Sequence, residues 1–359
     1  MMYWSIGEKE LKHIPRFNKV IKKTVLTRAP HRISFAGGGS DFPNFYSLDD
    51  GYIFSTTINR YSYIFSTYHS TSFLEKFRLN YSESELSNSV DTIKNEIVRE
   101  ALKYCNRNWG PVESLTIHIS SEIPGSSGLG SSSVVTSAIL MNLAERFEIS
   151  LSEKELVNAT TEIELHKLGK SMGVQDQYIT CFGGTRLIKF SKNGTESQKF
   201  PVEKLLQLLE GRLFLISTKK FRQAEKILAN QNNPSSIQRE ILKDMASGAL
   251  DLYETLLNAE ETEARLKLIT EVNRQMILKS NISEDITSNG IHEWLSQVKS
   301  KGFDAVKVAG AGGGGFIVGI TNKNFSKDDI DKISLELDTT IERVSPVDSK
   351  VETILVIND

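Results

Sequence analysis

Residues 121–147 read SEIPGSSGLGSSSVVTSAILMNLAERF, directly after LTIHIS at 115–120. The clean apolar/polar alternation of LTIHIS predicts a strand. Pro124 and a Gly/Ser loop follow, and then Val135, Ile139, Leu143 and Phe147 recur at the i, i+4 spacing of an amphipathic helix. A strand, a glycine-rich loop and a helix in that order suit an anion. Glycines let successive backbone N–H groups face one ligand, and the first helical turn adds unpaired donors and the positive end of its dipole. Pro124, Gly125, Ser126, Ser127, Gly128, Leu129, Gly130, Ser131, Ser132 and Ser133 are therefore the candidate phosphate cradle. Ser131 to Ser133 stand where helix N-caps belong. The loop is not a Walker A motif, because no Lys precedes a Ser or Thr at the required spacing. A plain glycine connection with a serine cap would account for one serine but not for the whole run.

Downstream, a second helix is expected over about 153–168, with Leu156, Ala159, Ile163 and Leu168 on its apolar side. EIELHKLGKSMGVQDQY then gathers Glu162, Glu164, His166 and Asp176. Glu164 falls on the helix, and Asp176 falls in a loop beyond Gly169 and Gly173. Taken alone, a helical Glu is usually solvated, a loop Asp usually makes a turn, and His166 reads as an ordinary surface or packing residue. Upstream, APHRISFAGGGSDF at 29–42 sends a short strand into three glycines, which implies either a sharp turn or a close approach to the main chain. GYIFSTTINRYSYIFSTY at 51–68 predicts two strands about Asn59-Arg60, and TIKNEIVREALKYC predicts a helix through Ile93, Ile97, Val98 and Leu102.

Beyond 200 the texture changes. RLFLIST is a strand, charged helical sequence runs to about 300, and FDAVKVAGAGGGGFIVGI sets a glycine run between two apolar β segments. That run formally contains G-x-G-x-x-G, yet the strand FIVGI follows it where a dinucleotide site needs a helix. Two strands pinched together by glycines are expected instead. ETILVI is the expected final strand.

The chain of 359 residues predicts two domains, with the boundary near 200. A formal net charge of −2 gives no reason to expect nucleic acid or a membrane as partner. Cys105 and Cys181 are too few for a disulfide framework and read as buried thiols of a reducing cytoplasm. VVTSAILMNLA is too short to span a bilayer. Lys9, Lys12, Arg16, Lys19, Lys22 and Lys23 make residues 1–23 a basic extension, without the apolar segment of a signal peptide.

Three glycine-rich motifs in this order resemble the GHMP kinases, the superfamily of galactokinase, homoserine kinase, mevalonate kinase and phosphomevalonate kinase. PGSSGLGSSS at 124–133 is similar to the family's P-x-x-x-G-L-G-S-S-A nucleotide loop, with Ser133 in place of alanine, and KVAGAGGGG at 307–315 is similar to its C-terminal glycine motif. RAPHRISFAGGGSDFPNF at 28–45 resembles the R-x-P-x-R-I-x-x-x-G-G-G-T-D segment of the D-glycero-D-manno-heptose 7-phosphate kinases and related fucokinases, with His31 where leucine is common and Ser40 in place of threonine. YSESE at 81–85, EIVREALK at 96–103, IELHKLGKSMGVQDQYITCFGG at 163–184 and FRQAEKIL at 221–228 agree with it.

The resemblance implies a two-domain α+β fold. Residues 24–200 would form an N-terminal domain with a left-handed β-α-β unit, and 201–359 a ferredoxin-like C-terminal domain. It implies ATP on the 124–133 loop and Mg²⁺ on Ser132 and Glu164. Asp176 would act as the base for, or orienter of, the attacking hydroxyl, with Arg32 holding phosphate oxygens or steadying Asp176. The sugar would lie against Asp41, Gly38, Gly39, Ser40, Gly312 and Gly313. Lys76, Arg78, Arg186 and Arg222 are candidate partners of a distal phosphate. The expected activity is an ATP-dependent sugar 1-kinase acting on heptose 7-phosphate. Its rivals are a fucokinase-like kinase of an unphosphorylated sugar and a catalytically silent sensor. The expected partner is a small sugar phosphate, in the cytoplasm, with pairing of two copies left open.

Overall fold

The computed structural model describes residues 22–70, 72–220, 234–287 and 290–358. FRQAEKIL, with Arg222, and residues 1–21 of the basic extension lie outside them. Alternation through KTVLTRAPHRISFA makes Lys23–Ala36 the first strand, β1. It runs antiparallel to β2 (Gly51–Tyr68) on one side and to the chain's last strand, β13 (Glu352–Asn358), on the other.

The two strands expected around Asn59-Arg60 are one strand of 18 residues. Neither residue takes the positive φ that a tight hairpin requires. The Asn59 N–H instead donates to the Ser345 carbonyl at 3.0 Å, beside β12 (Pro346–Val347). The far edge of β2 changes partner along its length, from β6 (Thr185–Ser191) at Gly51–Thr56 to β5 (Leu115–Ser121) at Ser62–Tyr68. With β3 (Phe77–Asn80), β4 (Ser84–Ser87) and β7 (Gly194–Phe200) the sheet has nine strands, and β3 and β5 pair in parallel.

A short helix α1 (Pro43–Tyr46) follows the glycine triplet, and α2 (Glu96–Asn108) connects β3 and β4 to β5. Asn95 caps α2 by accepting the Val98 N–H, so Ile93 is buried ahead of the helix rather than within it. Helix α3 (Ser131–Arg146) is buried on nearly every side, a wider face than the expected stripe through Val135 and Phe147. Asn142 ties it to the sheet by donating to the carbonyls of Val25 and Ile64, each at 3.1 Å. Next comes α4 (Glu153–Thr161), opened by a Ser152/Glu155 capping box. The expected helix over 153–168 then changes winding: Glu162–Lys167 forms a π-helical turn, and α5 (Gln175–Phe182) follows.

After α6 (Val202–Leu209), four strands build a second sheet: β8 (Leu213–Ser217), β9 (Ala305–Val308), β10 (Phe316–Ile320) and β11 (Ile341–Arg343), in the order β11-β8-β10-β9 with every pair antiparallel. Helices α7 (Ser236–Asn258), α8 (Glu261–Ser280) and α9 (Ile291–Ser300) lie between β8 and β9 in the chain, and α10 (Lys327–Glu336) lies between β10 and β11. Counted along this half of the chain the order is fourth, first, third, second, the ferredoxin-like arrangement. The fold is thus α+β on two sheets. One buried cluster joins them, with Ile33, Phe35 and Phe54 from the first sheet, Leu215, Phe316 and Val318 from the second, and Leu252 and Val272 from α7 and α8.

Cys105 and Cys181 are buried free thiols whose pKa burial pushes up, which leaves both in the unreactive form. Among the described residues no helix is long and apolar enough to cross a membrane.

Candidate active site

The loop after β5 reaches α3 without a serine cap. Gly130 holds the N-cap position at φ 80°, and no side chain caps the helix. Ser131 to Ser133 are the first helical residues instead, which corrects the expected serine cap. The physical consequence favours the anion reading. A serine cap would satisfy an orphan N–H from within, whereas glycine leaves that donor for a ligand. Ser126, Gly128 and Gly130 all take positive φ, and Pro124, Gly125 and Ser126 are exposed.

A β-carbon on Gly130 would stand 3.3 Å from Arg32 Cγ and 3.6 Å from Asp176 Cγ. Arg32 lies on β1, and Asp176 lies in the first turn of α5 rather than in the expected loop. The guanidinium grips the carboxylate in two places, Nε to Oδ1 at 2.6 Å and Nη2 to Oδ2 at 2.9 Å, while Nη1 donates to the Gly128 carbonyl at 2.7 Å. Such a forked pair fixes both partners. Of the two expected roles for Arg32, steadying Asp176 is the one its hydrogen bonds display.

Next to this pair lies a second carboxylate. Glu164 sits in the π-turn, which swings it fully inside and leaves His166 exposed, as expected for that histidine. It accepts hydrogen bonds from Ser132 Oγ, from Ser133 Oγ at 2.6 Å and from Gln177 Nε2 at 2.7 Å. Burial raises its pKa, and those donors and the nearby Lys170 oppose the shift. Ser133 is therefore a direct partner of the buried carboxylate, a role an alanine there could not fill. A hydroxyl and a carboxylate are hard oxygen donors. They fit a magnesium ion that takes the rest of its shell from phosphate and water.

The glycine triplet has a different task. A β-carbon on Gly37 would stand 1.8 Å from the Tyr52 carbonyl oxygen, so Gly37 at φ 88° clears room for β2. Ser40 Oγ donates to the Gly37 carbonyl at 2.8 Å and accepts from the Tyr52 N–H at 3.1 Å, so its hydroxyl is engaged in locking the turn. Gly38 alone of the three has open space around its missing side chain. Asp41 is buried. Its Oδ1 accepts the Gly39 N–H and its Oδ2 the Gln175 N–H, both at 3.1 Å, so it joins the glycine turn to the start of α5. Burial raises the Asp41 pKa to about 6, and the Asp176 charge adds to this. Gly173 makes the fit possible, because a β-carbon there would stand 1.9 Å from Asp41 Oδ2.

The C-terminal glycines close the site from the second sheet. β-Carbons on Gly310 and Gly315 would stand 2.6 Å from Gly128 Cα and 2.4 Å from the Ser127 carbonyl oxygen, and the Phe316 N–H donates to that same carbonyl at 3.2 Å. Two glycine loops thus meet backbone to backbone. Gly312 and Gly313 instead contact Ile286, the Gly313 N–H donating to its carbonyl at 3.0 Å. Beneath, His31 Nδ1 faces the Leu129 carbonyl at 3.3 Å, with Nε2 3.1 Å from Ser62 Oγ, and burial lowers its pKa to about 4. Lys307 Nζ donates to the Ser34 carbonyl at 2.8 Å and tethers β9 to β1, and burial lowers its pKa to about 7.

Of the candidate distal-phosphate cations, Arg78 pairs with Glu75, and Arg186 donates to the carbonyls of Gly183 and Phe182 behind α5. Lys76 is exposed. Sequence reasoning missed Lys170, whose Nζ stands 2.8 Å from Ser132 Oγ. Its one visible signal is a cation in the short segment between Glu164 and Asp176.

An uncapped helix start, a hydroxyl–carboxylate pair and an arginine-held aspartate suit a phosphotransferase with an alcohol group as acceptor. Residues 96–184 match the model of the GHMP kinases N terminal domain. The chain is 27% identical over 320 residues to D-glycero-alpha-D-manno-heptose 7-phosphate kinase of Campylobacter jejuni, covering 82% of this chain and 88% of that one. A solved D-glycero-D-manno-heptose 1-phosphate kinase from Bacteriodes thetaiotaomicron superposes with a TM-score of 0.72 at 21% identity, over 92% of this chain and 99% of that one. The mevalonate kinase of Methanococcus jannaschii does so with a TM-score of 0.68 at 18% identity, over 93% and 100%. Residues 96–184 are thus a GHMP kinase N-terminal domain, in a chain whose fold is that of these solved kinases.

Proposed function

We propose that this protein is an ATP-dependent sugar 1-kinase that phosphorylates the anomeric hydroxyl of D-glycero-D-manno-heptose 7-phosphate to give the 1,7-bisphosphate. The observation that carries the reading is the junction of Arg32, Asp176 and Gly128, where the base, its orienting cation and the phosphate loop meet within hydrogen-bond distance. The similarity to a heptose 7-phosphate kinase over 82% of this chain supports the choice of acceptor.

Backbone N–H groups of 125–131 and the start of α3 receive the ATP phosphates. Ser132 and Glu164 would hold Mg²⁺, which would supply positive charge against the developing charge of the transferred phosphoryl group. Asp176 faces the acceptor hydroxyl. As the sugar oxygen takes the γ-phosphoryl group and the bond to ADP breaks, the hydroxyl proton passes to Asp176. Arg32 keeps Asp176 aimed, so most of the protein's work is positioning and charge neutralisation. Asp41 retains lone pairs beyond its two backbone donors and accepts sugar hydroxyls. Gly38, Gly39 and Ser40 shape that side of the cleft, and Gly312 and Gly313 shape the other. Residues 24–200 supply the phosphate loop and both carboxylates, and 201–359 supply the glycine loop that covers them.

The test is ADP release with heptose 7-phosphate, mannose, fucose, galactose, N-acetylhexosamines and mevalonate as acceptors. Turnover confined to the heptose phosphate is expected. Turnover of free fucose but not the heptose phosphate would replace the acceptor, and no turnover with any sugar would overturn the kinase reading.

A further inference from the structure

Every residue from Pro124 to Ser133 is proline, glycine, serine or leucine, so the phosphate loop has no cation of its own. An ATP polyphosphate carries several negative charges, and backbone N–H groups answer them only with partial ones. Lys170 is placed to supply the missing charge. The segment between the π-turn and α5 carries it, and its backbone N–H donates to the Glu164 carbonyl at 3.0 Å, which fixes where the side chain starts. Its ammonium stands 2.8 Å from Ser132 Oγ, on the first turn of α3 where the phosphate donors converge.

The other surroundings of Lys170 leave it available. Its ammonium is linked to the Glu164 carboxylate by the Ser132 hydroxyl. Among the described residues its one direct ion pair is with Glu96 at 3.7 Å, and that carboxylate is 55% exposed, a pairing that contributes little. An ammonium has three donors, so one can stay on Ser132 while the others turn to phosphate oxygens.

Resting on the kinase reading, we infer that Lys170 is a phosphate-binding residue for ATP, the counterpart of a P-loop lysine supplied from a different segment of the chain. Its task in the ligand-free protein is to balance the buried Glu164. With nucleotide bound, the same charge lies against the polyphosphate.

The experiment is calorimetric titration of the full chain with ATP, in EDTA and then in Mg²⁺, for the wild type, Lys170→Met, Lys170→Gln and Lys170→Arg, with melting curves of each free protein. In EDTA, Lys170→Met and Lys170→Gln are expected to weaken ATP binding at least about tenfold, as loss of a charged hydrogen bond does. Lys170→Arg should restore most of it, and the salt dependence of binding should flatten in both neutral variants. Lys170→Gln can keep the hydrogen bond to Ser132, so it separates charge from folding if the methionine variant melts early. ATP binding by Lys170→Gln within about twofold of wild type, with the same salt dependence, overturns the assignment alone. A wild type that binds no ATP overturns the kinase reading and this assignment with it.

Discussion

Gly37–Gly39 and Pro124–Ser133 look alike as sequence, short glycine runs each entered from a strand, yet they differ in what their glycines face. The first run turns inward. Gly37 makes room for the Tyr52 carbonyl, and Ser40 spends its hydroxyl on the same turn. The second run leaves the start of α3 uncapped, because Gly130 stands where a capping side chain would have satisfied an N–H of the first turn. One run thus opens onto the uncapped start of a sixteen-residue helix, and the other packs against the backbone of a crossing strand.

That contrast can be broken by adding one methyl group at a time. Gly37→Ala should cost about 3 kcal/mol or more of stability, since strain at positive φ and a clash with rigid backbone add together. Thermal unfolding measures it, and a change under about 0.5 kcal/mol would show that the turn does not depend on glycine there. Gly38→Ala, with open space around it, should stay within that same about 0.5 kcal/mol.

Gly310→Ala falls between these extremes. Its new methyl would press on Gly128 from the second sheet, so ATP binding should weaken about tenfold, an overpacking cost of about 1.4 kcal/mol, while the fold persists. Titration with ATP beside a melting curve separates the two effects. Unchanged affinity would mean that the two glycine loops are not held in register.

The smallest effect concerns pH. His31 has its folded pKa lowered from 6.5 to about 4, so the unfolded chain binds the extra proton first. Stability is therefore lost as pH falls from about 6.5 to about 4. Asp41, raised from 3.8 to about 6, acts in the opposite sense, because the folded chain takes its proton first as pH falls from about 6. The two act against each other in the wild type. His31→Leu removes the His31 contribution, so stability should fall less steeply than in the wild type as pH falls from about 6.5 to about 4, read from denaturant midpoints. A variant that tracks the wild-type profile would remove His31 from the account.

Much of this was legible because it is local. The strand at 115–121, the helix after 130, the glycine hairpin of β9 and β10 and the last strand follow from alternation and helical spacing. What was not legible depends on partners far away in the chain. β2 reads as two strands because its partner changes at mid-length, and Asn59-Arg60 mimics a turn where a distant segment pairs instead. The π-turn that buries Glu164 gives no compositional signal, since EIELHK suits an α-helix equally well. Lys170 and Gly173 matter only through Ser132 and Asp41, which lie on other segments.

Asp176, gripped by Arg32 beside the phosphate loop, is proposed to serve the transfer step and not nucleotide binding. Asp176→Asn tests it most directly, with ATP affinity measured by titration and ADP release measured on the heptose phosphate. Affinity within about twofold of wild type and turnover lowered on the order of 10²- to 10⁴-fold is the expected result, the span of a lost general base. Equal turnover in Asp176→Asn and the wild type would contradict it.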